Sequence, residues 1–207
     1  MKRQKRTEDG AVQRYHHGDL RAALMKAALK LIDEHGVKGF SLKDAAALAG
    51  VSTAAPYRHF ADKDALIFEL QEEGFALFNA ALAAANARGT TPGSRIVELG
   101  VAFVLFAMAN PAYFRVMFGL AHGQAGEPDP SRISGFLLLV DGVAALLPEA
   151  EAQVRVDLVV ACWSLVHGFA LLQIEGVFDG TIQIGDVEGQ LRGTLSLMIE
   201  RTTSVQI

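Results

Sequence analysis

The stretch from Phe40 to Lys63, FSLKDAAALAGVSTAAPYRHFADK, constrains the fold of this chain more than any other. Ser41 stands where its side chain can cap a helix running through Leu42, Ala45, Ala46 and Leu48. Gly50 is free to take the left-handed conformation that stops a helix, and Val51 then turns back toward a core. Ser52 is placed to cap a second helix over residues 53–60, with Pro56 in the first turn, where a missing N–H does least harm. The spacing of Ala46, Gly50 and Val51 lets two helices cross closely at a steep angle. The second helix then presents Thr53, Tyr57, Arg58 and His59. Hydroxyl, aromatic and basic tips on an exposed helix suit a DNA major groove.

The flanking residues extend the pattern. With YHHGDLRAALMKAALKLIDEHG before it and FADKDALIFEL after it, the segment resembles the N-terminal domain of the TetR/AcrR family of one-component transcriptional regulators. Order, spacing and residue types agree from residue 15 to about 70. Further on, Trp163, His167 and Gly168 in CWSLVHGFALL resemble the WHG-type C-terminal domain of one subset of that family. The resemblance implies an all-α chain of two parts, a three-helix helix-turn-helix DNA-binding domain and a larger helical domain for ligand binding and dimerisation. It also implies a homodimer, binding of a double-stranded DNA operator by the small domain, and release by a small-molecule effector. On this reading residues 1–14 form a flexible basic arm, 15–62 the DNA-binding domain and 63–207 the ligand-binding and dimerisation domain.

Composition agrees without help from the resemblance. A chain of 207 residues that is 51% apolar can fill one or two substantial cores. Its single cysteine, Cys162, excludes an internal disulfide framework and fits a reducing, cytoplasmic setting. The N-terminus is basic but has no apolar segment after it, which argues against a secretory signal. The longest apolar run, Leu158 to Ile174, is interrupted by Ser164, His167 and Gly168 and falls short of the ~20 residues a bilayer needs. It reads as a buried central helix, with no membrane partner.

The net charge of −4 conceals a division. Residues 1–63 hold 12 Lys or Arg against 7 Asp or Glu, whereas the remainder hold 7 against 16. A basic small unit on an acidic larger one suits phosphate binding. The opening MKRQKR reads equally well as a solvated arm, which would still add sequence-independent affinity by releasing counterions.

Outside the motif the chain also reads as helical. Asp19 is placed to cap a first helix carrying Leu20, Leu24, Ala28 and Leu31, which Gly36 ends. Asp62 is placed to cap a long helix through Leu66, Leu70, Leu77 and Ala81 to about Ala87, with RGTTPG as a break after it. Further helices are expected over 94–109, 112–122, 132–147, 149–176 and 186–202, with GQAGEPDP as the longest loop.

The candidate DNA-binding residues are Lys43, Ser52, Thr53, Ala54, Tyr57, Arg58, His59 and Lys63. Thr53 and Ala54 open the reading helix, where a methyl can meet a thymine methyl, and Ser52 lies beside them. Tyr57 can donate its hydroxyl to a phosphate, and Lys63 offers phosphate both charge and a helix N-terminus. Lys43 can reach backbone or guanine, while Arg58 reads equally as a solvated charge. The resemblance carries the family's DNA contacts onto Lys43, Thr53, Ala54, Tyr57, His59 and Lys63, and gives Phe60 a packing role. So few long polar side chains leave much of the specificity to DNA shape and water.

For an effector, the candidates are Phe103, Phe106, Phe114, Met117, Phe118, Trp163 and His167. Trp163 and His167 are four apart and share a helix face with Val160, Leu171 and Ile174. His167 can bond a ligand, titrate, or satisfy a core carbonyl, and the residues alone do not choose among these. The same phenylalanines and methionine read also as ordinary core. Leu158, Cys162, Leu165, Phe169 and Leu172 form a second stripe, so this helix is buried on two sides. Cys162, Leu165 and Phe169, with the small-residue stripe Gly189, Gly193 and Ser196 of the last helix, are the candidate dimer interface.

No phosphate-cradling glycine loop, HExxH or CxxC motif occurs, and no Ser–His–Asp set has supporting context, so no enzyme, cofactor or metal site is expected. His16 and His17 are adjacent and would point apart on a helix. The reading is therefore a ligand-responsive DNA-binding transcriptional regulator, with repression the expected mode and a small hydrophobic molecule the expected effector. Two alternatives stand beside it: a small-molecule-binding protein or enzyme whose helix-turn-helix is only structural, and a constitutive DNA-binding protein without an effector.

Overall fold

The computed structural model describes residues 20–119, 130–178 and 185–205. Within them the architecture is all-α, with eight α-helices, one short 3-10 turn and no strand. Helix α1 spans Leu20–His35 and ends where Gly36, at φ 73°, donates its N–H to Ile32 O at 2.9 Å. Leu24, Ala27, Ala28 and Ile32 form its buried face. The expected Asp19 cap lies outside the described residues, as do the N-terminal arm and most of GQAGEPDP.

Helix α2, Leu42–Leu48, begins with a reciprocal cap. The Ser41 hydroxyl accepts from Asp44 N–H, and the Asp44 carboxylate accepts from Ser41 N–H at 2.8 Å. It ends as read from sequence: Gly50 sits at φ 71°, its N–H bonds Ala47 O, and Val51 N–H reaches back to Ala46 O at 3.0 Å.

The second helix of the motif is a correction. Residues 53–60 do not form a regular α-helix; they make turns around a 3-10 segment, Pro56–Arg58. Pro56 has no N–H to return to Ser52 O, so Ala55 takes that carbonyl instead, at 3.0 Å. Nor does Ser52 cap it, since Ala55 holds the cap position with no side-chain bond.

Helix α3 is long, Lys63–Arg88, and the Asp62 carboxylate caps it through Ala65 N–H at 2.8 Å. Its buried positions run Leu66, Ile67, Leu70, Gln71, Gly74, Phe78, Leu82 and Ala85. Leu77, expected on the inner stripe, is 47% exposed. Phe78 takes the inner place because Gly74 brings the next layer close: a Cβ there would lie 2.9 Å from Met117 Sδ.

Helix α4, Pro92–Ala109, starts two residues before the expected Ser94. Thr91 and Ser94 form a reciprocal cap around Pro92, whose fixed φ suits the first helical position. After Asn110 come α5, Pro111–Phe118; α6, Pro130–Leu146; α7, Ala152–Ile174; and α8, Val187–Val205. Gly176, at φ 65°, closes α7, with Val177 N–H reaching back to Leu172 O at 3.0 Å.

Two cores result. The first joins α1, α2, Phe40, Phe60 and the start of α3; the second joins the rest of α3 to α4, α6, α7 and α8. Helix α5 belongs to both, giving Ala112 and Val116 to the first and Phe114 and Met117 to the second. Gln71, buried on α3, donates to Val116 O at 2.9 Å and pins α5 at that junction. The central helix is α4, not the 158–174 segment: it packs against α3, α6, α7 and α8. Both α4 and α7 are long and apolar enough to cross a membrane by length and composition, but 56% of α4 is buried by protein, against 28% of the most apolar 18-residue stretch of α7.

Candidate DNA interface and effector pocket

The buried rings of Pro56 and Phe60, four residues apart, hold the 3-10 segment against the first core. That anchoring turns the residues between them outward. Ser52, Thr53, Ala54, Tyr57, Arg58 and His59 are all exposed, Tyr57 by 52%, and Lys43 is exposed on α2. Seven of the eight DNA-binding candidates therefore stand free on the surface of the small unit.

Lys63 is the exception. Its half-buried ammonium donates to Phe40 O at 2.7 Å and sits 4.3 Å from the Phe40 ring centre. Burial holds it below the usual lysine value, against the pull of Asp64 and Asp44. This lysine ties the start of α3 to the loop before α2, a role the sequence did not reveal because the partners lie 23 residues apart. Two of its N–H groups remain for other acceptors.

The second core holds a narrow apolar cavity, open on one side, with about 20 Å³ of room for the centre of a water-sized sphere. Helix α4 contributes Ile96, Leu99, Gly100 and Phe103, and α7 contributes Cys162, Trp163 and Val166. Leu82, Gly135, Leu139 and Leu195 close it from α3, α6 and α8. Of the effector candidates, Phe103 and Trp163 line this space, and their rings meet edge to face at 5.4 Å. The others pack beside it. Phe106 lies against Phe78 at 5.3 Å, and Met117 against Gly74. Phe114 and Phe118 are 5.0 Å apart and both meet His167.

His167 stacks into this cluster, 4.6 Å from Phe103 and 4.7 Å from Trp163, with Nδ1 3.3 Å from Trp163 O. Desolvation lowers its pKa, partly offset by that carbonyl. Sequence reasoning missed the aliphatic walls, which come from five helices.

Helix α7 corrects one expectation, the place of Cys162. Its inward arc is Leu158, Val159, Cys162, Val166 and Ala170. Cys162, expected at a dimer interface, is 3% exposed, lines the cavity, and burial pushes its thiol up to about 11. Trp163 and His167 sit on the flank of that arc, and Val160 and Leu171 lie beyond it, 57% and 47% exposed. Leu172, placed in the second buried stripe, is likewise exposed. Leu165 and Phe169 are half-buried against the core, while Gly189 and Gly193 are exposed and Ser196 half-buried in an open groove of α4 and α8. A Cβ added at Gly168 or Gly193 would have nothing within 4 Å.

A turn-anchored helix-turn-helix unit with outward polar tips, joined through α5 to a larger helical unit, has the architecture of helix-turn-helix regulators. Residues 24–70 match the family described as bacterial regulatory proteins, tetR family, and residues 96–195 match the tetracyclin repressor-like C-terminal domain. The chain belongs to the TetR family of transcriptional regulators. It is 31% identical to a protein of unknown function from Rhodococcus sp. RHA1, over 91% of this chain and 97% of that one, with a TM-score of 0.72. A tetR-family regulatory protein from Rhodococcus RHA1 shares the fold at TM-score 0.69 and 18% identity, over 87% and 95% of the two chains. A TetR variant from Acinetobacter baumannii AYE, in complex with minocycline, shares it at 0.57 and 19%, over 90% and 97%. Comparison with curated proteins gave no match.

Proposed function

We propose that this chain is an operator-binding, effector-responsive transcriptional repressor that works in the cytoplasm as a homodimer. One observation carries the reading: α5 lies in both cores, so a change around the cavity and a change in the pose of the DNA reader share one rigid element. Residues Thr53, Ala54, Tyr57 and His59 read the groove, with Lys43, Ser52 and Arg58 around them, and Lys63 both braces the reader and faces phosphate. An effector seated against Phe103 and Trp163 favours a form whose two readers no longer match successive major grooves, through its differential affinity for two states. The tetR-fold variant in complex with minocycline supports an effector site in this fold.

We read residues 15–62 as reader and 63–207 as effector and assembly unit, with the start of α3 and part of α5 completing the reader's core. The dimer is read as a four-helix contact of α7 and α8 from each copy. Exposed Val156, Val160, Leu171 and Leu197 supply its apolar surface, and Gly168 and Gly193 let the helices approach closely. The test is a mobility-shift selection with genomic fragments followed by a small-molecule screen for release. A specific fragment released by a cavity-binding compound supports the proposal; no specific fragment, or release by none, overturns it.

A further inference from the structure

Two acids stand at the wrong ends of their helices. Asp33 lies in the last turn of α1, and Glu175 takes the C-cap position of α7. A helix C-terminus is the negative end of its dipole, so a carboxylate is disfavoured at both places. One guanidinium answers both. Arg115 of α5 holds Asp33 Oδ1 at 2.8 Å through one terminal nitrogen and Glu175 Oε1 at 3.6 Å through the other. All three side chains keep contact with water, and both acids are exposed, so neither pair is strong alone. What matters is the join they make. Among the described residues, no other ion pair links α1 to the end of α7.

The rest of α5 is fixed to α3. Gln71 donates to Val116 O at 2.9 Å, and the Tyr113 hydroxyl donates to the carboxylate of Glu73. A Cβ at Gly74 would stand 2.9 Å from Met117 Sδ and 3.0 Å from Tyr113 Cδ1, so the two helices touch closely there. They move as one body. Helix α1 packs chiefly on α2 and α5, and the Arg115 bridge is what ties its end to that of α7. Without the arginine, two carboxylates that now share one guanidinium would be left together beside two negative helix ends.

We infer that Arg115 is the positioning residue of the DNA reader: it draws the ends of α1 and α7 together against the repulsion of Asp33 and Glu175, and so sets the tilt at which residues 52–59 meet the groove. The inference rests on the reading of those residues as DNA-binding and adds the side chain that orients them. It carries a sign that bulk charge cannot imitate. Removing an acid makes the chain less negative, and long-range electrostatics alone would then tighten DNA binding. Through the clamp, removing Glu175 weakens it.

The test compares the full-length parent with Arg115→Gln, Glu175→Gln and the double variant, by anisotropy on a genomic fragment that the parent selects. Arg115→Gln should weaken binding by about five- to twentyfold and Glu175→Gln by about two- to fivefold, the scale of exposed ion pairs. In the double variant the repulsion is gone, so Glu175→Gln should restore part of what Arg115→Gln loses. Should Arg115→Gln not fold, Asp33→Asn and Glu175→Gln keep the arginine and carry the test, each weakening binding. Hydrogen exchange without DNA reads the clamp itself. The amides of Gly36, Glu175 and Val177, which bond back into the ends of α1 and α7, should exchange at least about threefold faster in Arg115→Gln. Parent-like affinity in Arg115→Gln, unchanged or tighter binding by Glu175→Gln, losses that simply add in the double variant, or unchanged exchange at all three amides overturns the inference. Failure of the regulator reading would show separately, as a parent that selects no DNA fragment, with the exchange measurement still deciding whether Arg115 clamps the two ends.

Discussion

Lys63 shows how one side chain can serve two ends. Its ammonium bridges α3 to Phe40 by a 2.7 Å hydrogen bond and a 4.3 Å ring contact, so it holds the reader's frame beside its proposed phosphate contact. Lys63→Met should therefore lower stability by about 1 kcal/mol in denaturant titration. The same variant should flatten the salt dependence of log affinity by about one unit, as for one lost phosphate contact. A variant with unchanged slope would restrict Lys63 to the bracing role. Glu98 is the acidic counterpart, with its carboxylate 15% exposed and bonded chiefly to Arg192, then Arg88. Those partners hold its pKa below the ordinary 4.5. The stability this supplies is present above that ordinary value and is lost as pH falls through the depressed one. Glu98→Gln should cost about 1 kcal/mol at neutral pH, the upper end for partly exposed pairs, and nothing at the foot of the acid limb. Melting temperatures across pH should show the variant converging on the parent as acid is added; a constant gap would contradict this.

At the scale of elements, α8 offers the sharpest test of assembly. Gly193 is exposed and an added Cβ there meets nothing within 4 Å in the single chain. Gly193→Leu should leave the folded subunit intact yet weaken a close α7–α8 dimer by roughly 1–3 kcal/mol through overpacking. Sedimentation at graded concentrations reads this; a variant as dimeric as the parent would remove Gly193 from the contact. Elements were legible in the sequence where their signals are local. Ser41, Gly50, Asp62 and Gly36 act on backbone groups three to five residues away, and each stands in its expected role. The start of α4 is hidden in sequence because Thr-Pro-Gly reads as a break, although Thr91 caps and Pro92 opens the helix. The reader's 3-10 turn is not legible in sequence because Pro56 in a first turn suits an α-helix, whereas here its missing N–H leaves Ser52 O to Ala55. For α7, apolar residues all round leave the inward phase undetermined in sequence, and Cys162 turns into its own core rather than toward a dimer face.

For the whole molecule, the reader's surface was legible and the cavity was not. Lys43 and the 52–59 segment follow from one short motif, whereas the cavity draws on residues from Leu82 to Leu195 and emerges from packing alone. What joins them is α5, bonded to α3 through Gln71 and Val116 O and packed into both cores. Arg115 on the same helix reaches Asp33 of α1 at 2.8 Å and Glu175, beyond α7, at 3.6 Å. The central claim is that residues 52–59 read DNA. The most direct measurement is fluorescence anisotropy with a fragment selected from the genome, comparing the parent with Thr53→Glu and Tyr57→Phe. Both positions are exposed, so melting temperatures should not change. Thr53→Glu should abolish specific binding by placing a negative charge against the groove, and Tyr57→Phe should weaken it by about 1 kcal/mol through one lost hydroxyl contact. Parent-like affinity in both variants, at unchanged stability, would contradict the account.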